Sequence, residues 1–207
     1  MAKVTPNGET RQDILRAALK HFAHGGYAAT SVQQIVDDAR VSKPALYYYF
    51  KDKAGLLDAV VEQRVAPLVQ ALGVAVQAAG PDPAAALRAF VSTYTATASN
   101  NHWLPRLIVR EVLSDEGALR TTFPERFAGG MAAMLRGVVL AGQKRGDFRA
   151  DLDPSEIVMS ILSLCIFPYL AAPLVNTTLG IDTGPARAGA LASHHLAVLL
   201  AGIAKSP

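Results

Sequence analysis

Thr30 to Lys53 reads TSVQQIVDDARVSKPALYYYFKDK, and this stretch decides the fold. Ser31 is a good N-cap for a helix over 32–39, because its hydroxyl accepts a bond from an otherwise unpaired amide of the first turn. The inner face of that helix is Val32, Ile35, Val36 and Ala39. Ser42 plays the same part for a helix over 43–50, with Pro44 in the first turn, where a missing N–H costs little. About three residues join the two helices, which is the layout of a helix-turn-helix whose second helix enters the major groove of duplex DNA. The groove admits one helix, and the residues at its N-terminal end reach the base edges. Here those residues are Ser42, Lys43, Pro44 and Ala45, small side chains that allow close approach plus one long cation. Leu46 and Phe50 stand four apart and are expected to pack inward. Tyr47, Tyr48 and Tyr49 follow one another around the helix, so they cannot all be buried. Beside Lys43, Lys51 and Lys53 they make a dense set of phosphate hydrogen-bond donors, or else they pack the small head.

The rest of the chain is helical in pattern, with no run of period two that reads as a strand. Residues 11–24 carry Ile14, Leu15, Ala18, Leu19 and Phe22 as one apolar stripe, and Gly25-Gly26 supplies a C-cap. Asp52 caps a fourth helix that begins at Lys53 and runs to about Ala79. Breaks at 80–83, 99–101, 114–117, 146–154 and 176–185 leave helical stretches near 84–98, 104–113, 123–145, 155–175 and 186–204. The expectation is an all-α chain of about nine helices, with a head over 1–55 and a larger body over 56–207.

Of 207 residues, 51% are hydrophobic and 18% charged, a composition that disfavours disorder. All of the net charge of +3 lies in residues 1–55, where eight Lys/Arg oppose five acids; the other 152 residues balance. That asymmetry suits a polyanion partner for the head, though a merely solvated face would look the same. The single cysteine, Cys165, suits a reducing compartment, and MAKVTPNGETRQD has no apolar leader, so the expected address is the cytoplasm. Residues 157–175 run 19 long without a charge, about the length that spans a bilayer. Pro168 and Pro173 interrupt the run and no aromatic belt flanks it, so it reads as a buried or interface helix, with no membrane partner expected.

On these residues the chain resembles the TetR (tetracycline repressor) family of transcriptional regulators. The family's pattern is met by Thr30-Ser31, Val41-Ser42, Leu46-Tyr47-Tyr48-Tyr49-Phe50, Lys53 and Leu56, over about residues 10–60 and at the right spacing. The resemblance implies that Gln33, Ser42, Lys43, Pro44 and Ala45 read bases. It implies that Thr30, Ser31, Tyr47, Tyr48, Tyr49 and Lys53 hold phosphates. Arg40 departs from the pattern, standing in the turn where the family usually has glycine; an arginine at positive φ there costs on the order of 1 kcal/mol. Tyr49 stands where histidine is commoner, and either side chain donates to a phosphate.

For the body, the resemblance implies a homodimer formed through the last two long helices, near 155–175 and 186–204, and a small effector held between earlier ones. Two nearly uncharged helices need a surface to hide in, whether a second copy across a two-fold axis or a larger core within one chain. Candidate pocket residues are Phe90, Tyr94, Trp103, Phe127, Met131, Met134 and Phe167, with Arg106 or Arg110 as a polar anchor. Such aromatic and Met side chains suit an adaptable, hydrophobic effector, and equally suit plain core. Glu111 has the same two readings as Arg106 and Arg110, ligand group or ion-pair partner.

Catalysis finds little support. His194 and His195 are adjacent and point about 100° apart on a helix, a poor shared metal site. Cys165 lies in apolar sequence with no charged neighbour to activate it. No phosphate loop or paired-carboxylate motif is present, so no catalytic residue, metal or cofactor is expected. The sequence therefore points to a sequence-specific, DNA-binding regulator of a palindromic operator, a repressor released by a small hydrophobic ligand. The alternative is a chromosome-organising DNA binder of the same fold with no effector.

Overall fold

Side-chain caps define the first helices of the computed structural model, which describes residues 7–204. Helix α1 (Asn7–Gly25) buries Ile14, Leu15, Ala18 and Phe22 on one face and stops where Gly26 turns to φ 88°. Helix α2 (Val32–Ala39) starts from a full capping box: Ser31 Oγ accepts from the Gln34 amide, and Gln34 Oε1 accepts from the Ser31 amide. It ends at Arg40, whose φ of 57° and ψ of 41° are left-handed, so the arginine takes the conformation usual for glycine at such a turn. Among the described residues Arg40 is the one non-glycine with positive φ. Helix α3 (Lys43–Tyr49) is capped by Ser42 Oγ at 3.3 Å from the Ala45 amide, and Leu46 and Phe50 pack inward as expected. Asp52 caps α4 (Lys53–Ala78) through the Gly55 amide at 2.7 Å; one π-helical turn, Val61–Val65, interrupts this helix.

The body continues with α5 (Pro83–Asn100), α6 (Trp103–Glu111) and α7 (Gly129–Arg145), the last preceded by a π turn at Pro124–Ala128. Then follow α8 (Pro154–Leu170), capped by Asp153, α9 (Ala172–Thr178), and α10 (Ala188–Ile203) behind a 3-10 turn at Pro185–Arg187. The described residues hold no strand; Phe148 and Ala204 form one isolated bridge. The all-α reading stands, with ten α-helices among the described residues where about nine were expected. The expected 155–175 helix is two helices bent by 78° at Ala171. Pro173 explains the break: it has no amide for the carbonyl four residues back, and its ring clashes there.

The chain forms two compact units. One runs to Pro67 and includes Arg106–Phe123, a longer stretch than the 1–55 expected for the head; the other is Leu68–Pro105 with Pro124 onward. The first unit's interior includes Phe22, Ile35, Leu46, Leu56 and Leu107. The second has its own core, built from Leu72, Leu87, Phe90, Leu135, Ile161, Cys165, Leu196 and Leu199 among others. By length and composition, Lys53–Ala78 and Pro185–Ile203 are each apolar enough to cross a bilayer; the 157–175 run qualifies only as the bent α8–α9 pair. In α4 the apolar side chains Leu56, Leu57, Val60, Val61, Val65 and Leu72 are buried in the protein itself.

Candidate nucleic-acid interface and effector groove

Helices α2 and α3 present one face to solvent that matches the demands of a groove reader. Ser42, Lys43 and Pro44 are exposed at the start of α3, and Ala45 is half-buried beside them. The α3 segment contains no acid. Tyr48 is 76% exposed and Tyr47 50%, whereas Tyr49 is half-buried and meets Tyr48 edge-on at 5.0 Å. The phenols therefore divide, two outward and one against its neighbours. Gln33 is exposed, with its amide donating to Asp37 Oδ1 at 2.7 Å. The head's acids are largely engaged elsewhere. Lys20 and His21 approach Asp38, and the Lys20 hydrogen bond holds that carboxyl below its usual range. Asp13 pairs with Arg16, and Asp52 caps α4.

Three residues assigned to phosphates by resemblance have local work to do. Thr30 is buried, its hydroxyl donating to Gly26 O at 2.7 Å. The Ser31 hydroxyl is taken up by Gln34. Lys53 Nζ donates to Tyr27 O and Thr30 O, each at 2.9 Å, and lies 4.3 Å from the Tyr27 ring centre. These side chains shape the α1–α2 turn, while the groups at the start of α3 stay exposed. Sequence reasoning passed over two participants. The Arg11 guanidinium lies over the Phe50 ring and donates to Gln63. The backbone of Tyr27 is gripped from both sides, by Lys53 and by Glu111. Tyr27 and Glu111 are 84 residues apart, and no local pattern links them.

In the second unit a groove of about 660 Å³ lies between α7 and α8. Its walls are almost wholly apolar, with Ala132 and Ala133 on one side and Met159, Leu162, Ile166 and Phe167 on the other; Arg136, Ser155 and Ser163 are its polar groups. Of the expected pocket residues only Phe167 lines it. Phe90 is fully buried core, and Met131 and Met134 pack against that core. Tyr94 stacks on Phe90 at 6.1 Å, its hydroxyl pushed above the ordinary phenol range by burial. Trp103 Nε1 donates to Asn101, and Phe127 sits under the Arg126 guanidinium. Arg106 and Arg110 do not reach the groove. They belong to the first unit, where Arg106 meets His24 Nε2 at 2.9 Å and Arg110 approaches Gly25 O. Both are long side chains on α6 whose hydrogen-bond partners lie at the end of α1. Burial pushes the Cys165 thiol up to about 12, consistent with an inert core residue.

Two family profiles match successive parts of the chain. The profile of bacterial regulatory proteins of the tetR family matches residues 14–60. That of the tetracyclin repressor-like C-terminal domain matches residues 83–198, more than half of the chain. The HTH-type transcriptional repressor NicS of Pseudomonas putida is 28% identical over 184 residues, spanning 87% of this chain and 85% of that protein. The HTH-type transcriptional repressor KstR2 of Rhodococcus jostii is 30% identical over 151 residues, 69% of this chain and 70% of the relative. Among solved structures, the ketosteroid transcriptional regulator KstR2 of Mycobacterium tuberculosis superposes with a TM-score of 0.74 at 21% identity, covering 100% of both chains. The transcriptional regulator FadR from Bacillus subtilis in complex with stearoyl-CoA gives 0.73 at 20% identity, over 93% of this chain and 98% of that one.

Proposed function

Because the chain belongs to the tetR family of bacterial regulatory proteins, and so is a DNA-binding transcriptional regulator, we propose that it is a cytoplasmic homodimeric repressor of a palindromic operator, released by a small hydrophobic effector. One observation carries the DNA half. The start of α3 is small, exposed and free of acids, with Lys43 at its tip and Tyr47 and Tyr48 outward. In this reading Ser42, Lys43, Pro44, Ala45 and Gln33 face bases, and Tyr47, Tyr48 and Lys51 face phosphates. The chain needs no cofactor for this.

The dimer reading is supported by the outer face of α10. Ala190, Ala197 and Ala201 lie exposed on it, with Val198 52% exposed, and the helix carries no Asp, Glu, Lys or Arg. Small side chains let a partner helix approach closely, and an uncharged exposed face costs little to desolvate. The effector reading is supported by the α7–α8 groove, whose apolar walls end at Arg136, a guanidinium without an ion pair among the described residues. An amphipathic molecule with a hydrophobic body and an anionic end fits that chemistry, and the stearoyl-CoA of the FadR complex is of this class.

Selecting bound duplexes from a random pool tests the reading. The expected product is an inverted repeat with half-sites spaced by whole helical turns, roughly 34–36 Å each, bound by a species that sediments as a dimer. Stearoyl-CoA is the first effector to try, and loss of the duplex on adding it is the expected result. A stable monomer, or many genomic sites without preference for an inverted repeat, favours a chromosome-organising protein instead.

A further inference from the structure

We propose that Glu111, at the end of α6, is a positioning residue for DNA binding, which it serves by clamping the peptide of Tyr27 and so setting the pitch of α2 and α3. The inference rests on the DNA-reading role of α3. Glu111 is 3% exposed, and a buried carboxylate is costly unless its oxygens are bonded. Both are. Oε1 accepts from the Tyr27 amide at 2.7 Å, and Oε2 accepts from the Ala118 amide at 3.1 Å. The backbone is held as well, because Leu119 N donates to Glu111 O at 2.8 Å. Gly117 makes that approach possible: a Cβ there would lie 2.5 Å from Glu111 O, closer than any side chain tolerates. The carboxylate is therefore anchored at both oxygens and through its own backbone.

On the other side of the same residue, Lys53 Nζ takes Tyr27 O and also Thr30 O. Tyr27 thus has its N–H drawn by an anion from α6 and its C=O by a cation at the start of α4. Four residues later Ser31 caps α2, and the intervening turn is closed by Thr30 N on Tyr27 O at 3.2 Å and by the Thr30 hydroxyl on Gly26 O. The direction of α2 follows from this turn, and α3 packs on α2, with Ile35 and Val36 of α2 and Leu46 of α3 all buried. A reading helix must sit within about 0.5 Å of its productive place. A single buried carboxylate outside the helix-turn-helix thereby governs how well the tip of α3 meets the bases, without touching DNA.

Glu111→Gln in the full chain tests this, using a duplex selected by the wild-type protein from a random pool. The amide group of Gln sets a donor against one of the two backbone donors. The expected result is at least tenfold weaker binding with the salt dependence unchanged, whereas loss of a phosphate contact lowers the slope of log K against log salt by about 0.9. Exchange of the Tyr27 amide with solvent, read by NMR, is expected to quicken at least tenfold while amides of α5 and α8 keep their protection. Unchanged affinity despite faster Tyr27 exchange overturns the proposal, as does unchanged Tyr27 exchange. Should Glu111→Gln fail to fold, Glu111→Asp keeps the charge but withdraws it by one methylene and is read in the same way. A wild-type protein that selects no duplex at all overturns the DNA reading instead, so the two failures stay distinct.

Discussion

The two compact units are ordered by different physics. In the first, bonds between side chains and backbone do much of the specifying. Ser31, Ser42 and Asp52 cap three successive helices, Thr30 closes the turn before α2, and Lys53 and Glu111 hold the backbone of Tyr27 on its two sides. In the second, Asp82 and Asp153 cap helices too, but α8 and α10 are seated mainly by burying Ile157, Ile161, Cys165, Leu196 and Leu199. A few long-range polar ties add to this: the Tyr169 hydroxyl donates to Thr95 O at 3.1 Å, Arg145 to Pro81 O at 2.7 Å and the Arg149 amide to Ile203 O at 2.9 Å. A hydrogen bond is directional and dictates one geometry, while apolar burial is not and is satisfied by many surfaces. The head is thus built to keep one shape for DNA, and the body leaves apolar faces open to other occupants.

The contrast breaks most visibly in the core of the body. Phe90 is fully buried, so Phe90→Ala is expected to cost about 3–5 kcal/mol, read as a lowered urea midpoint. Base preference of the molecules still folded is expected to stay the same. If that preference changes as well, the units are less separate than their physics suggests.

Within the head, two lysines sharpen the comparison. Lys43 is exposed at the tip of α3, so Lys43→Ala is expected to cost about 1–3 kcal/mol on the selected duplex and less on scrambled DNA. Lys53→Met strips two carbonyls of their donor, for a loss of about 1–3 kcal/mol in stability. Its DNA affinity is expected to fall with no change in salt slope. A slope smaller by about 0.9 returns Lys53 to the phosphate role that the family resemblance implies.

Smaller still is the effect at the turn. Arg40→Gly relieves a left-handed arginine and is expected to stabilise the head by about 1 kcal/mol, raising Tm. DNA affinity at low salt falls, because a cation near the phosphates is lost.

The least effect is a pH dependence of the body. Burial, then the neighbouring His194, lowers the pKa of His195 below its usual value, and His195 Nδ1 has no partner among the described residues. A histidine with a depressed folded-state pKa binds its proton more readily when unfolded. Its contribution to stability is therefore complete above about pH 6.5 and lost as pH falls below that value. Urea midpoints between pH 7.5 and 5.5 check this, and His195→Gln is expected to flatten the fall.

Reading the sequence worked where structure is local. The caps at Ser31, Ser42 and Asp52 and the inward Leu46 and Phe50 all follow from neighbours within four residues, whereas the left-handed conformation of Arg40 came from the structure. It worked less well where a side chain's partner comes from far along the chain. Lys53 reads as a phosphate ligand because a lysine beside a recognition helix has a free charge in sequence; only the fold brings Tyr27 O and Thr30 O to it. Arg106 and Arg110 read as pocket anchors, and the fold turns them toward the end of α1. Met131 and Met134 form a stripe that suits core and pocket alike, and packing made them partners of the core.

What the sequence alone determined is the all-helical class, the helix-turn-helix and the side of α3 that faces outward, since capping and periodicity are properties of consecutive residues. The tertiary structure decided the break at Ala171, the groove between α7 and α8, and the clamp of Glu111 on Tyr27. Each of these depends on which distant groups become neighbours. That choice is made by burying the whole apolar surface at once, and no window of sequence contains it.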